Sequence, residues 1–318
     1  MIKILVTGGA GFIGTYLVKE LQKKDYKIIV ADNLSKKESK VPIGVEFRQI
    51  DLTNKKNTDN LFKGVDICIN LASMIGGIGY FHKLPGTILS TNNGILSSTF
   101  EAAVKNKIKR MIYFSSSMVF ESADIYPNKE EHIAKIPSPA TGYGFSKLIG
   151  EYYCKTFNKE FGLDYTIIRP FNVYGINEYP GEYIGYSHVI PDLIRKVILG
   201  QYPLEILGDG QQTRCFTHIK DLVRGVMLAL GSEKAVNEDF NLGTDQETKI
   251  IELARMIWNI ENSNKEFKVK HLPAFKHDVK KRIPDYSKAK NILAWEPKIK
   301  IEDGLLEVYN WLKKIEKN

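Results

Sequence analysis

Thr7-Gly-Gly-Ala-Gly-Phe-Ile-Gly14 decides how this chain of 318 residues is read. Upstream, Ile2 to Val6 is a short apolar run of β-formers, which predicts a buried strand. Downstream, Phe12, Leu17 and Leu21 recur at helical spacing, which predicts a helix through Lys24. Gly9, Gly11 and Gly14 satisfy G-x-G-x-x-G, and Gly8, Gly11 and Gly14 satisfy the wider G-x-x-G-x-x-G. Between a strand and a helix, such glycines let the backbone turn tightly and approach a pyrophosphate. The helix N-terminus then supplies N–H donors. A glycine turn with no ligand has the same composition, so the flanking elements and the rest of the chain must decide.

A second strand is predicted from Lys27 to Ala31, ending at Asp32. That places a carboxylate about twenty residues beyond the glycines, where it can accept the hydroxyls of an adenosine ribose. It would repel a 2′-phosphate, so NAD is favoured over NADP. Asn33 and Ser35 adjoin it, a setting that also suits a turn or capping aspartate.

About 130 residues downstream of the glycines, Tyr143 and Lys147 stand four residues apart in a predicted helix from Tyr143 to Glu160. Positions i and i+4 share a helix face, which brings an ammonium near a phenol. A free tyrosine titrates near pH ~10. A nearby cation favours the phenolate, so Tyr143 is expected to have a lowered pKa and to exchange a hydroxyl proton near neutral pH. Y-x-x-x-K also occurs in helices as a solvated surface pair. The segment before it argues for chemistry: Lys109 to Ser115 is a β-like run, followed by Ser116 and Ser117. A serine at the C-terminal edge of a parallel strand faces the ligand crevice, so Ser116 could bond the same substrate hydroxyl.

With these residues in place, the chain resembles an extended short-chain dehydrogenase/reductase of the nucleotide-sugar epimerase/dehydratase family, from Ile2 to about Trp311. The resemblance implies bound NAD, a UDP- or GDP-hexose substrate, and Ser116, Tyr143 and Lys147 as catalytic residues. It implies cofactor contacts from Gly8, Gly11, Phe12, Ile13, Gly14, Asp32 and Asn33. Asp51 and Leu52 would lie at the adenine, and Leu71, Ala72 and Ser73, within Asn70-Leu-Ala-Ser73, would pass under the cofactor. Asn92 matches the family's structural asparagine. Arg169-Pro-Phe-Asn-Val-Tyr-Gly175 matches a substrate-contacting stretch, with Asn172 near the diphosphate. Arg214 and Arg282 would clamp phosphates, for which guanidinium geometry is suited. Gly77, Ser117, Val189 and Asp285 complete the implied substrate contacts. The resemblance also implies a homodimer built from helices around Ile95 to Val104 and Tyr143 to Phe157.

Within that family the residues after the catalytic serine discriminate. Dehydratases carry an Asp-Glu pair there, nucleotide-sugar decarboxylases carry a glutamate, and GDP-mannose 3,5-epimerases carry a cysteine. This chain has Ser117 and Met118, and a thioether transfers no proton. The resemblance then implies a 4-epimerase of the UDP-glucose/UDP-galactose type. Tyr143 takes the proton of the sugar 4-hydroxyl, hydride passes to NAD, and both return after the 4-keto sugar has rotated. Met74-Ile-Gly-Gly-Ile-Gly-Tyr80 resembles instead the glycine loop of the 3,5-epimerases. A 3,5-epimerase, a 4-oxidase/reductase and a non-catalytic NAD-binding protein therefore remain alternatives. Phe120 stands where the family usually has tyrosine.

Strands and helices alternate to about Arg169, which predicts an α/β protein: a Rossmann-type doubly wound parallel sheet with a smaller, interleaved C-terminal substrate lobe. Residues 1–170 form the expected NAD-binding domain, joined by a return segment at about 214–235, and residues 171–318 form mainly the nucleotide-sugar lobe. Cys68, Cys154 and Cys215 have no ligand spacing, so neither disulfides nor a metal is expected, and the histidines, His82 and His188 among them, add none. The formal net charge of +8 is spread along the chain, which argues for a solvated basic surface rather than nucleic-acid binding. A strand at the very N-terminus leaves no room for a signal peptide, and no apolar run is long enough for a membrane. A cytoplasmic protein is the expectation.

Overall fold

The computed structural model describes residues 1–181, 187–274 and 279–316. Strands β1 (Ile2–Thr7), β2 (Tyr26–Asp32), β3 (Glu46–Gln49), β4 (Ile67–Asn70), β5 (Arg110–Phe114), β6 (Asp164–Pro170) and β7 (Glu238–Leu242) form one sheet in the order β7-β6-β5-β4-β1-β2-β3. Every neighbouring pair is parallel. The strand order reverses beside β1, between β2 and β4. A crevice at the C-terminal ends of β1 and β4 is thus the expected ligand position.

Helices cover both faces, as a parallel sheet requires. Ile4 and Val6 of β1 face one core with Leu17 and Leu21 of α1 (Phe12–Leu21), whereas Leu5 faces the other. That second core is closed by α2 (Lys55–Leu61) and, beyond a short α3 (Ile78–Lys83), by α4 (Pro85–Lys105) and α5 (Gly142–Phe161). Helix α1 stops at Leu21 rather than Lys24, because the N–H groups of Lys23 and Lys24 turn back to Glu20 and Leu21 in tighter i→i−3 bonds.

After β6 the chain leaves the sheet and builds a third core from α6 (Val189–Ile198), α8 (Ile250–Asn262) and α10 (Ile301–Glu316), with Leu204 and Ile206. Between these, α7 (Ile219–Leu230) returns to pack beside α1, and α9 (Ser287–Leu293) joins the same core through Ala289 and Leu293. β7 follows α7 and pairs with β6, which carries the return past residue 235. Its polar start, Glu238 and Asp239, hides it from a hydrophobic pattern search. No described helix is long and apolar enough to cross a membrane.

Candidate active site

The glycine turn has the geometry of a phosphate cradle. Gly8 has φ +69°, and its N–H bonds Ala31 O on β2. A Cβ at Gly14 would lie 2.5 Å from Gly8 O and 2.6 Å from Gly9 Cα, so no side chain fits there. Gly11 caps α1 with no side chain over its first turn, which leaves those N–H groups directed outward. Phe12 and Ile13, half-buried, open the helix.

The strand ends around the turn are tied together. Thr7 Oγ1 donates to Asn70 Oδ1 at 2.9 Å, and Asn70 Nδ2 donates to Thr99 Oγ1 at 3.1 Å. Leu71 N–H bonds Thr7 O, and Ala72 N–H bonds Thr7 Oγ1. Asn92 then fixes the next loop: its Oδ1 accepts from Met74 N at 2.7 Å and Ser73 Oγ at 3.3 Å, while its Nδ2 donates to Ser146 on α5. Asp32 stands at the end of β2 and accepts from Ala10 N at 3.1 Å and Leu34 N at 2.9 Å, so it also holds the glycine turn in shape. Asn33 bonds Ser35 N and stays exposed. Asp51 accepts from Thr53 N and Oγ1, beside the buried Leu52. These groups share one crevice edge. The donor set suits a dinucleotide: bare N–H groups for phosphates and a carboxylate for a ribose.

On the other side of the crevice, Tyr143 and Lys147 lie in the first turns of α5. Thr141 Oγ1 caps that helix by accepting from Gly144 N at 3.1 Å, and Glu121 holds Thr141 in place through two bonds. Tyr143 is 3 % exposed and Lys147 5 %. Ser116, just beyond β5, accepts from Met118 N through its Oγ, and its hydroxyl lies close enough to Tyr143 to favour the ionised phenol. Ser117 is buried beneath.

The electrostatics differ from the sequence expectation. Burial pushes the Tyr143 phenol above its ordinary range, partly offset by the nearby Ser116 hydroxyl and the Arg282 charge. Burial also pushes Lys147 down to about 7. Its ammonium donates to Phe114 O at 2.9 Å and lies 5.8 Å from the Tyr143 ring centroid. Desolvation therefore outweighs the lowering influences, and the cation among them is Arg282, not Lys147.

The assigned substrate residues divide. Arg282, 6 % exposed, reaches into this site: Nη1 lies against Met118 Sδ, and Nη2 donates to Asn172 Oδ1 at 3.3 Å. Arg214 donates to Thr213 O in the antiparallel pair with Thr248–Lys249. Asp285 accepts from Ser287 N, Val189 opens α6, and Gly77 starts α3. His188 pairs with the buried Glu178. No group of three or more metal-binding side chains comes together among the described residues.

Three features escaped the sequence. Phe81 stacks on Tyr143, and no local signal in so short a helix announces it. Glu151 is 1 % exposed and pairs twice with Arg169, which is 0 % exposed. Its spacing of four from Lys147 was the available clue. Phe120, the departure from the family's tyrosine, packs against Phe171 and the Arg169 guanidinium.

Fold and site together define a dinucleotide-binding α/β protein with a buried tyrosine–lysine pair at the sheet's crevice. Comparison with known proteins sharpens this. The pattern described as the NAD dependent epimerase/dehydratase family matches residues 4–243. The chain belongs to that family. It is 32% identical to GDP-mannose 3,5-epimerase 1 of Oryza sativa subsp. japonica over 98% of this chain and 82% of that one. It is 31% identical to a UDP-N-acetyl-alpha-D-glucosaminuronate decarboxylase of Bacillus cytotoxicus over 99% of this chain and 98% of that one. Among solved structures, the UDP-glucose 4-epimerase of Thermotoga maritima with UDP-glucose superposes with TM-score 0.89 at 31% identity, covering 99% of this chain and 100% of that one.

Proposed function

We propose that the chain is a nucleotide-sugar 4-epimerase of the UDP-glucose/UDP-galactose type. The observation that carries this reading is the pairing of Tyr143 and Ser116 beside Met118, a side chain with no exchangeable proton. Relatives of several activities stand at similar identity, so the local chemistry weighs more than overall likeness.

NAD, when bound, supplies reversible hydride acceptance at the sugar carbon. Tyr143 takes the proton of the 4-hydroxyl and later returns it to the same oxygen. Ser116, with its hydroxyl beside Tyr143, orients that oxygen. Lys147, whose ammonium burial pushes down to about 7, is anchored to the Phe114 carbonyl. Arg282 adds positive charge near the phenol and favours its ionised form. Asn172, bonded to Arg282, reaches toward the diphosphate in this reading.

A second reading, 3,5-epimerisation, draws on the glycine loop before α3 and the likeness to the rice enzyme. It needs protons removed at C3 and C5. UDP- and GDP-hexoses brought to equilibrium in deuterium oxide, with NMR of the sugar, separate the two. The expected product is the C4 epimer of a UDP-hexose with no deuterium on carbon. Deuterium at C3 or C5 would sink the 4-epimerase reading and point to a further base.

A further inference from the structure

Phe81 has no part in the chemistry above, yet it touches the catalytic phenol. Its ring stacks on that of Tyr143 with centroids 4.6 Å apart and planes 7° from parallel. Both rings are more than nine-tenths buried. Helix α3 carries Phe81, and the loop before it is folded tightly on that helix: a Cβ at Gly76 would come within 2.7 Å of the Tyr80 ring. Ile88 and Met118 complete the buried cluster, with Met74, Ile75 and Leu84 packed around it.

We propose that Phe81 is a positioning residue for the acid/base: it fixes the plane of the Tyr143 ring and keeps water off it, leaving the hydroxyl edge as the approach to the phenol oxygen. The proposal rests on the acid/base role of Tyr143, not on which sugar is turned over. A stacked ring at this distance restricts rotation of its partner. A dry site strengthens each remaining interaction of the phenol, here with the Ser116 hydroxyl and the Arg282 charge. Small misplacements of a reacting group are costly, up to ~100-fold for about 1 Å.

The same cover accounts for burial as the largest influence on the Tyr143 proton. The charged and titratable groups around the phenol are few. Arg282 comes from the C-terminal part of the chain, Lys147 from α5 itself, Tyr113 from β5 and Tyr80 from α3. His82 and Lys83, which follow Phe81 on α3, are exposed.

The test uses the full chain labelled with ζ-13C tyrosine and saturated with NAD, with the Tyr143 signal assigned by Tyr143→Phe. In Phe81→Ala, ionisation of Tyr143 should begin at least about one pH unit lower than in the parent, because water now reaches the ring. Phe81→Trp should keep the parent's titration. Phe81→Leu, which preserves most of the volume should alanine fail to fold, should fall between. With UDP-glucose as substrate, Phe81→Ala should lose about tenfold in kcat with KM within about twofold. An unchanged Tyr143 titration in Phe81→Ala and Phe81→Leu would overturn the proposal. So would a raised KM with kcat intact, which would make Phe81 a wall of the sugar pocket. Absence of turnover on UDP-glucose would count against the epimerase reading, while the titration would still decide the role of Phe81.

Discussion

Across the crevice, the edge around Gly8 to Gly14 offers backbone N–H groups, a bare helix end and one carboxylate, all within β1, α1 and β2. The opposite edge offers side chains: Tyr143 and Lys147 from α5, Ser116 from beyond β5, Phe81 from α3 and Arg282 from the last third of the chain. A backbone-built site survives the loss of one side chain, because its donors belong to every residue. A side-chain site depends on each contributor and on whatever holds it still. The difference predicts unequal sensitivity to single substitutions.

The largest effect is expected where the side-chain edge is anchored. Glu151 accepts from Ser115 Oγ at 2.5 Å and from Arg169 Nε and Nη2, each at 2.7 Å, and so fastens α5 to β5 and β6. Among the described residues, Glu151→Leu leaves the buried Arg169 with Asp239 as its one ionic partner, and it should cost about 3 kcal/mol of stability, read by denaturant unfolding. Removing both charges in Glu151→Leu/Arg169→Met should recover part of that loss. If the double variant is no better than the single one, the pair is not the anchor.

Next comes the phenol. Tyr143→Phe retains the ring that stacks on Phe81, so folding and NAD binding should persist, while turnover should fall by at least ~100-fold. Isothermal titration with NAD beside steady-state assays separates the two quantities. Turnover near that of the parent would remove Tyr143 from the mechanism.

The smallest effect is expected on the backbone-built edge. Asp32→Ser removes the carboxylate that would meet the ribose and that accepts two N–H groups of the turn. NAD should still bind, with its preference over NADP reduced about tenfold, the scale of one charge-assisted hydrogen bond. Competition between the two nucleotides measures it. Complete loss of NAD binding would show that one side chain dominates this edge after all.

The same contrast explains what could be read from the chain beforehand. Gly8 to Gly14, β1, α1 and β2 are contiguous, so their pattern is local and legible, and the alternation of strands and helices implied the parallel sheet. Tyr143 and Lys147 were legible because a helix repeats within four residues. Arg282 on Met118 joins positions 164 apart, and no periodicity reports such a meeting. Phe81 sits in a six-residue helix whose direction is set by the loop folded before it. The altered Tyr143 proton follows from total burial, a property of the finished packing rather than of Lys147 at i+4. Glu151 reads as a surface residue until β6 brings Arg169 beneath it.

The late arrival of β7 bears on how the protein is made. Phe240 and Leu242, both fully buried, complete the sheet beside β6 only after α6 and α7 have been threaded. During synthesis on the ribosome, β6 therefore waits as an open edge, a row of unpaired backbone groups able to template association with another nascent chain. A fragment ending at residue 170 would keep that edge permanently. The sheet edge is therefore complete only once the chain has been made through Leu242, more than seventy residues after β6.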